Sequence, residues 1–133
     1  MEPSSEVRSY TNGEKRRVKH LTVFLVETYV VKPEKQAELV PLYQKFIKIM
    51  EDKKGKFKEA KSFKLYSQWF GAVGGYIGIW EFSNMADCEK WSNNAEADEE
   101  LMKPYQEFLN SVLVPRTYFM HVWRDVLEHT VKC

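Results

Sequence analysis

The chain has 133 residues, of which 44% are hydrophobic and 29% are charged, and its formal net charge is +1. This length fits one domain, and the composition is that of a globular protein rather than a disordered one. A charge so close to zero excludes a global field that would attract nucleic acid or an anionic membrane. We therefore predict no nucleic-acid partner and no electrostatic attachment to membranes.

Cysteine content and hydropathy bear on the cellular compartment of the protein. The two cysteines, Cys88 and Cys133, form neither a disulfide framework nor a zinc-ligand spacing, so we predict reduced thiols and no metal site. No apolar run approaches the roughly 20 residues needed to cross a bilayer. The first residues lack the apolar stretch of a secretory signal, and we expect a cytoplasmic protein.

The sequence divides into three segments. Residues 1–20 are polar, with a short basic cluster, and we expect a solvated segment that leads into the first strand. Residues 21–127 contain all the predicted helices and strands and form the domain. Residues 128–133 are a short C-terminal tail.

The first half of the domain reads as a strand followed by a helix. Residues 21–31 are rich in β-branched and aromatic side chains on both alternating faces, which predicts a strand that is covered on both sides. Pro33 suits the first turn of a helix. Apolar residues then recur in steps of three and four from Glu34 to about Lys53, which predicts an amphipathic helix.

The second half predicts a hairpin, two helices and a last strand. Residues 62–70 and 73–82 alternate as strands, and the second contains three glycines that indicate a bulge or a close approach by another group: Gly74, Gly75 and Gly78. Asn84 and Asp98 are suited to cap helices that reach about residue 94 and about residue 112. Residues 116–127 predict the final strand.

The element order βαββαβ is that of the α+β, ferredoxin-like fold with a four-stranded antiparallel sheet. In this fold the helices cover one sheet face and leave the other bare. Strands that are apolar on both faces would then expose a large hydrophobic patch, which soluble monomers avoid. A twofold-symmetric pair removes the conflict. We therefore predict a homodimer that forms through the sheet.

Two runs resemble a known superfamily. The run ETYVVKPEKQAELVPLY, residues 27–43, is similar to the strand and helix that open the dimeric α/β-barrel superfamily. Within that superfamily it most resembles the NIPSNAP-like and antibiotic-biosynthesis-monooxygenase-like members. The run YIGIWEFSNMADCEKW, residues 76–91, is similar to the third strand and following helix of that group. The resemblance covers roughly residues 21–127 and concerns fold more than chemistry.

The resemblance implies a range of functions. Members of the superfamily include cofactor-independent monooxygenases that act on aromatic polyketides or quinols, and haem-degrading monooxygenases. Haem-degrading members use an Asn on the first strand and a His in the second helical region. This sequence has Glu27 and Thr28 on the first strand and no histidine in the helices after Asn84. We therefore expect no haem, and we predict no cofactor.

Two carboxylates interrupt the apolar strands and are candidate catalytic residues, Glu27 and Glu81. A buried carboxylate must be paired or have a raised pKa, and either condition serves catalysis. Because the first and third strands are neighbours in this fold, we expect the two to share one polar patch. The alternative is a structural role, with Arg116 and Arg124 on the last strand as ion-pair partners.

Four further residues complete the candidate site. His121, in FMHVW, is a candidate general base, with a hydrogen-bonded core or interface histidine as the alternative. Tyr43, Trp80 and Trp91 are candidate ligand-binding residues that would hold a flat hydrophobic molecule. Packing in the core or at a dimer interface explains the same aromatic residues equally well.

Two functions follow from these residues. In the first, the protein is a cofactor-independent monooxygenase, or a related enzyme, acting on a small hydrophobic or aromatic molecule. In the second, it is a non-catalytic dimeric module that binds a small molecule or a partner. The first requires an ionisable group that reaches a cavity of about 300 Å³ or more.

Overall fold

The computed structural model describes residues 22–53, 55–71 and 73–132. In this part of the chain four strands form one antiparallel sheet: β1 Val23–Val30, β2 Ser62–Ser67, β3 Gly75–Phe82 and β4 Phe119–Arg124. The strand order across the sheet is β2-β3-β1-β4. This order confirms the predicted α+β, ferredoxin-like fold. The predicted N-terminal segment, residues 1–20, lies outside the described residues.

Three α-helices among the described residues pack on one side of the sheet: α1 Gln36–Asp52, α2 Met85–Glu96 and α3 Glu99–Glu107. A short 3-10 turn, Pro33–Lys35, leads into α1, and a π-helical turn, Phe108–Val112, extends α3. The predicted caps are confirmed. Asn84 Oδ1 accepts a hydrogen bond from the Asp87 amide at 2.8 Å, and Asp98 Oδ1 accepts one from the Leu101 amide at 3.0 Å.

The last strand is shorter than the predicted residues 116–127. Arg116 has a φ of 67°, a left-handed conformation that breaks the extended backbone. The Thr117 hydroxyl then accepts the hydrogen bond of the Val30 amide at 3.0 Å, so a side chain replaces the strand ladder at this point. As a result β4 begins only at Phe119.

The register assigns each strand residue to one of two sheet faces. Glu27 lies opposite Gly78 of β3 and opposite Met120 of β4, and this set faces the helices; we call it the inner face. Phe24 lies opposite Glu81 and opposite Trp123 on the other side, the outer face. Successive residues of a strand alternate between these faces.

The outer face carries several large apolar side chains that its own chain covers incompletely. Phe119 and Trp123 of β4 are 57% and 59% exposed, and Tyr66 of β2 is 48% exposed. The register places all three on the face that the helices leave bare. The predicted homodimer stays a prediction, and its surface is this outer face.

Candidate functional site

A cavity of about 140 Å³ lies between the inner face and the three helices. Its wall is mostly apolar and includes these side chains: Leu25, Phe46, Trp80, Trp91, Leu101 and Phe108. The volume is less than half of the roughly 300 Å³ at which drug-sized sites begin. It is close to the volume of a cavity, about 150 Å³, that holds one benzene ring. The cavity is therefore of a size for a single ring.

Glu27 is the buried carboxyl group in this wall, and it is 6% exposed. The Tyr118 hydroxyl donates to Glu27 Oε2 at 2.6 Å, and Trp80 Nε1 donates to Oε1 at 3.1 Å. The Tyr43 hydroxyl donates to the same Oε1 at 3.4 Å. Three neutral donors thus replace the predicted arginine partner, and that alternative is wrong for Glu27.

Burial dominates the protonation of Glu27. It raises the pKa of the carboxyl above its ordinary value of 4.5, because the charged form loses its hydration. The hydrogen bonds from Tyr118, Trp80 and Tyr43 act in the opposite direction, since they stabilise the charged form. The result is a carboxyl group with more basic character than an exposed glutamate, held in place by three donors.

Further tyrosines extend the hydrogen bonds on both sides of Glu27. The hydroxyl groups of Tyr43 and Tyr29 lie 2.8 Å apart, and Tyr105 donates to the Tyr118 hydroxyl at 3.2 Å. Burial raises the pKa of all four phenols, so each keeps its proton. The network therefore contains one carboxyl group and four neutral hydroxyl groups.

Gly78 gives Tyr43 access to this network. The glycine lies directly opposite Glu27 on β3. A Cβ atom there would meet the Phe63 ring at 3.2 Å and the Tyr43 hydroxyl at 3.3 Å. Tyr43 and Phe63 are themselves stacked, with ring centroids 4.6 Å apart. The predicted close approach to the backbone of β3 is thus confirmed at Gly78.

Glu81 lies on the outer face, away from the cavity. It is opposite Phe24 of β1, and its Oε1 accepts a hydrogen bond from the Ser62 hydroxyl of β2 at 2.8 Å. Glu27 and Glu81 therefore point to opposite sides of one sheet. The predicted shared polar patch is wrong, because the register turns the two carboxyl groups apart.

His121 is also on the outer face. It lies opposite Val26, its side chain is exposed, and it contacts the Trp123 ring at a centroid distance of 6.4 Å. Neither His121 nor Glu81 is in the cavity wall. Of the six candidate site residues, the structure brings four together around the cavity: Glu27, Tyr43, Trp80 and Trp91.

Trp91 forms an apolar part of the wall. It lies on α2, is 6% exposed, and packs on Trp80 with ring centroids 4.8 Å apart. Its Nε1 is buried and has no hydrogen-bond partner among the described residues. Trp91 therefore supplies ring surface, whereas Trp80 supplies both ring surface and a donor to Glu27.

Sequence reasoning missed Tyr118 and Tyr105. Tyr118 makes the shortest hydrogen bond to Glu27, yet it precedes β4 and belongs to no helix or strand. The sequence offered one indication of its position: Tyr118 is two residues before Met120, and residues two apart in a strand point to the same face. The register places Met120 on the inner face. That signal depends on treating residues 116–127 as one strand, which they are not.

Residues 22–53, 55–71 and 73–132 contain neither a cluster suited to a metal ion nor a helix suited to cross a membrane. Within these ranges no group of three or more His, Cys, Asp or Glu side chains is placed to hold a metal ion. In the same ranges no helix has both the length and the apolar character needed to cross a membrane.

The fold is similar to that of several solved structures. A NIPSNAP-like domain protein from Burkholderia xenovorans superposes with a TM-score of 0.61 at 11% identity, covering 86% of this chain and 91% of that chain. A NIPSNAP family protein of unknown function from Agrobacterium tumefaciens gives 0.58 at 15% identity, covering 80% and 89%. A conserved protein from Methanosarcina mazei gives 0.62 at 15% identity, covering 84% and 99%. The chain has a NIPSNAP-like fold.

The NIPSNAP-like fold is what these similarities establish. Scans of the sequence against family models and against curated proteins find no match. Identities of 11% to 15% carry no residue roles from those proteins to this chain. The chemistry of the cavity must therefore be argued from Glu27 and its neighbours.

Proposed function

We propose that this chain binds a small, single-ring aromatic molecule that carries a hydroxyl group, and that Glu27 accepts a hydrogen bond from that hydroxyl. The observation that supports this proposal is a buried carboxyl group in the wall of an apolar cavity of ring size. The ring would pack against Trp80 and Phe108. The hydroxyl would point towards the sheet.

The hydrogen bonds of Glu27 leave room for one more donor. An ionised carboxylate offers about four lone-pair sites, and Tyr118, Trp80 and Tyr43 occupy three of them. A hydroxyl group that enters an apolar cavity without an acceptor loses about 1–3 kcal/mol. Glu27 removes that loss for a phenol but offers nothing to a hydrocarbon of the same shape.

The enzymatic form of the proposal is general-base catalysis on a single-ring substrate, because the cavity of about 140 Å³ does not reach the roughly 300 Å³ required for a larger one. Glu27 would take the hydroxyl proton as the ring gives electrons to dioxygen, because the burial that keeps the four tyrosines protonated also keeps an unreacted phenol protonated. A carboxyl whose pKa is raised by burial suits this step, because a general base works best with a pKa near the working pH. In the monooxygenase version, as the family resemblance implies, no cofactor takes part. One oxygen atom of dioxygen forms a C–O bond on the ring and the other leaves as water with two hydrogen atoms of the substrate. The phenol or quinol supplies the four electrons and becomes a quinone.

The second candidate function is a non-catalytic binding module. Two observations favour it: the cavity holds about 140 Å³, and its wall contains no histidine among the described residues. In this version Glu27 accepts a hydrogen bond from the ligand and keeps its place in the tyrosine network. Binding is common to both versions, so binding is what must be tested first.

The test compares phenol with toluene, which has a similar shape and no donor. Tryptophan fluorescence is a suitable readout because Trp80 and Trp91 line the cavity. We expect phenol to bind more tightly than toluene to the native protein, and Glu27→Leu to remove that preference. Glu81→Leu is the matched control on the outer face and should leave it unchanged. Equal affinity for both compounds in the native protein would overturn the proposal.

Catalysis needs its own readout. Dioxygen uptake with a hydroquinone, corrected for spontaneous oxidation, should depend on Glu27 if the enzymatic version is right. Uptake that is equal in the native protein and in Glu27→Leu, together with intact phenol binding by the native protein, would favour the binding module.

We also propose that two copies pair through the outer face. Support comes from the exposed side chains of Phe119, Trp123 and Tyr66 on a face that the helices leave bare. Trp123→Glu should shift the protein from dimer to monomer in light scattering coupled to size-exclusion chromatography. Trp69→Glu is the control, because Trp69 is 90% exposed in the turn after β2. A native protein that is monomeric at micromolar concentration would contradict the proposal.

The cytoplasmic location also remains a proposal. The buried free thiol of Cys88 agrees with a reducing compartment, where thiols stay unpaired. Fractionation of cells that express the tagged chain would test it, and recovery in an oxidising compartment would contradict it.

A further inference from the structure

The helices leave part of the inner face uncovered along β4. Met120 and Val122 both point to the helix side of the sheet, yet they are 47% and 48% exposed. Leu25, which lies opposite Val122 on β1, is only 5% exposed. The helices therefore cover the inner face as far as β1 but not β4, and two apolar side chains of β4 remain exposed.

These two side chains continue the cavity. Leu25, Glu27 and Met120 all belong to the cavity wall. Val122 is directly opposite Leu25, and side chains in such cross-strand pairs lie about 4.5–5.5 Å apart. A molecule that leaves the cavity past Met120 therefore meets Val122 next. We call Met120 and Val122 the β4 track.

Three methionines belong to the part of the cavity wall nearest to solvent, together with Ser92, Glu96 and Tyr105. Met50, Met102 and Met120 line it, and none of the three is fully buried, whereas Leu101 and Phe108 are 2% and 1% exposed. These are three of the four methionines in the described residues, the fourth being Met85. Methionine is flexible and adapts to different apolar partners. An apolar substituent can thus pass between these side chains.

We propose that the ligand of this cavity is a phenol with an apolar chain, and that the chain leaves the cavity past Met120 and lies on the β4 track. This inference rests on the proposed function of the cavity and adds the second half of the ligand. Glu27 orients the hydroxyl towards the sheet, and Met120 lies directly opposite Glu27 on β4, so a substituent that passes Met120 must be carried on the side of the ring, meta to the hydroxyl. A cavity of about 140 Å³ is filled by the ring alone, and the chain must lie outside it.

The track has a defined end. The next inner-face residue of β4 is Arg124, whose charged side chain is exposed. From Met120 to Val122 the strand advances about 7 Å. Affinity should therefore rise with chain length at first and then level off when the chain reaches Arg124.

The experiment measures the dissociation constants of phenol, 3-ethylphenol, 3-butylphenol and 3-hexylphenol by calorimetry, because the meta position of the bound ring is the one next to Met120. Full burial of a methylene group strengthens binding about fourfold, and an open track covers about half of the chain, so we expect about a twofold gain per methylene. Val122→Ser should reduce this gain while leaving phenol affinity unchanged. Val126→Ser is the control, because Val126 is 90% exposed and lies beyond β4.

The outcomes separate this inference from the proposed function. If phenol binds but the affinity does not change with chain length, the chain inference is overturned and the phenol cavity survives. If no member of the series binds, both are overturned. If Val126→Ser reduces the gain as much as Val122→Ser does, the chain does not lie on the β4 track. If the affinity is flat and Val122→Ser weakens dimerisation, a second copy covers the track instead.

Discussion

Removing the Tyr118 hydroxyl tests the tyrosine network around Glu27. The 2.6 Å distance from this hydroxyl to Glu27 Oε2 is typical of a hydrogen bond to an ionised carboxylate, 2.5–2.7 Å. Such a bond contributes about 1.5–3 kcal/mol to stability, and a bond between neutral groups contributes about 1 kcal/mol. Tyr118→Phe should therefore destabilise the protein by about 2 kcal/mol where Glu27 is ionised and by about 1 kcal/mol where it is protonated.

The assay is urea unfolding of the native protein and Tyr118→Phe at pH 4 and pH 9. With a slope of roughly 2 kcal/mol per molar, the variant should lower the urea midpoint by about 1 M at pH 9 and by about half of that at pH 4. Tyr105→Phe is the control, because Tyr105 donates to a neutral hydroxyl and its loss should not depend on pH. A Tyr118→Phe effect that is equal at both pH values, or larger at pH 4, would refute the reasoning.

Three further predictions concern the groups around the site and the helix that flanks it. The folded pKa of Glu27 is raised, so its contribution to stability is present below pH 4.5 and is lost as pH rises through the folded value. The stability difference between the native protein and Glu27→Gln, measured by urea unfolding, should therefore shift in favour of the variant between pH 4 and pH 9, and an opposite shift would contradict it. Gly78→Ala should lower the free energy of unfolding by about 1–3 kcal/mol through overpacking against Tyr43, and a fully stable variant would show that the neighbours yield freely. Hydrogen bonds from Lys53 and Lys56 depress the pKa of Asp98. Asp98→Asn should therefore lower the free energy of unfolding by about 1–2 kcal/mol at pH 7, and by less as pH falls towards 3. If thermal unfolding shows the same loss of stability at every pH, the charge of Asp98 is not its cause.

Much of the fold could be predicted because the helix caps and the order of helices and strands indicate the same topology. Asn84 and Asp98 mark the two helix starts by side-chain chemistry alone, and the structure shows both caps. The βαββαβ order then allows few topologies for the sheet. The start of β4 could not be predicted, because it depends on the left-handed backbone of Arg116 and on the Thr117 hydroxyl.

The candidate site was only half predictable, and the reason lies in strand geometry. Trp80 and Glu81 are successive residues of β3, so their side chains must point to opposite faces, and one cavity could not include both. Whether Glu27 lies on the face of Trp80 or of Glu81 depends on the pairing register, which the sequence pattern of two doubly apolar strands does not specify. Because Glu27 pairs with Gly78, it lies on the same face as Trp80.

Tyr118 illustrates a different limit. Its hydroxyl reaches Glu27 across 91 positions of sequence, from a segment with no regular secondary structure. Periodicity places residues within helices and strands, but it gives no position for a side chain in a connection. The arginines of the last strand were the obvious partners for a buried carboxylate, yet neutral hydroxyl and indole donors take that role.

The most direct test of the phenol cavity is a phenol titration followed by NMR of methionine methyl groups. The ring current of a bound phenol shifts the signals of nearby methyl groups, and Met50, Met102 and Met120 line the cavity whereas Met85 does not. We expect these three signals to shift and to saturate together at one dissociation constant while the Met85 signal stays in place. Unchanged signals at Met50, Met102 and Met120, or a shift of Met85 equal to theirs, would contradict a phenol site beside Glu27.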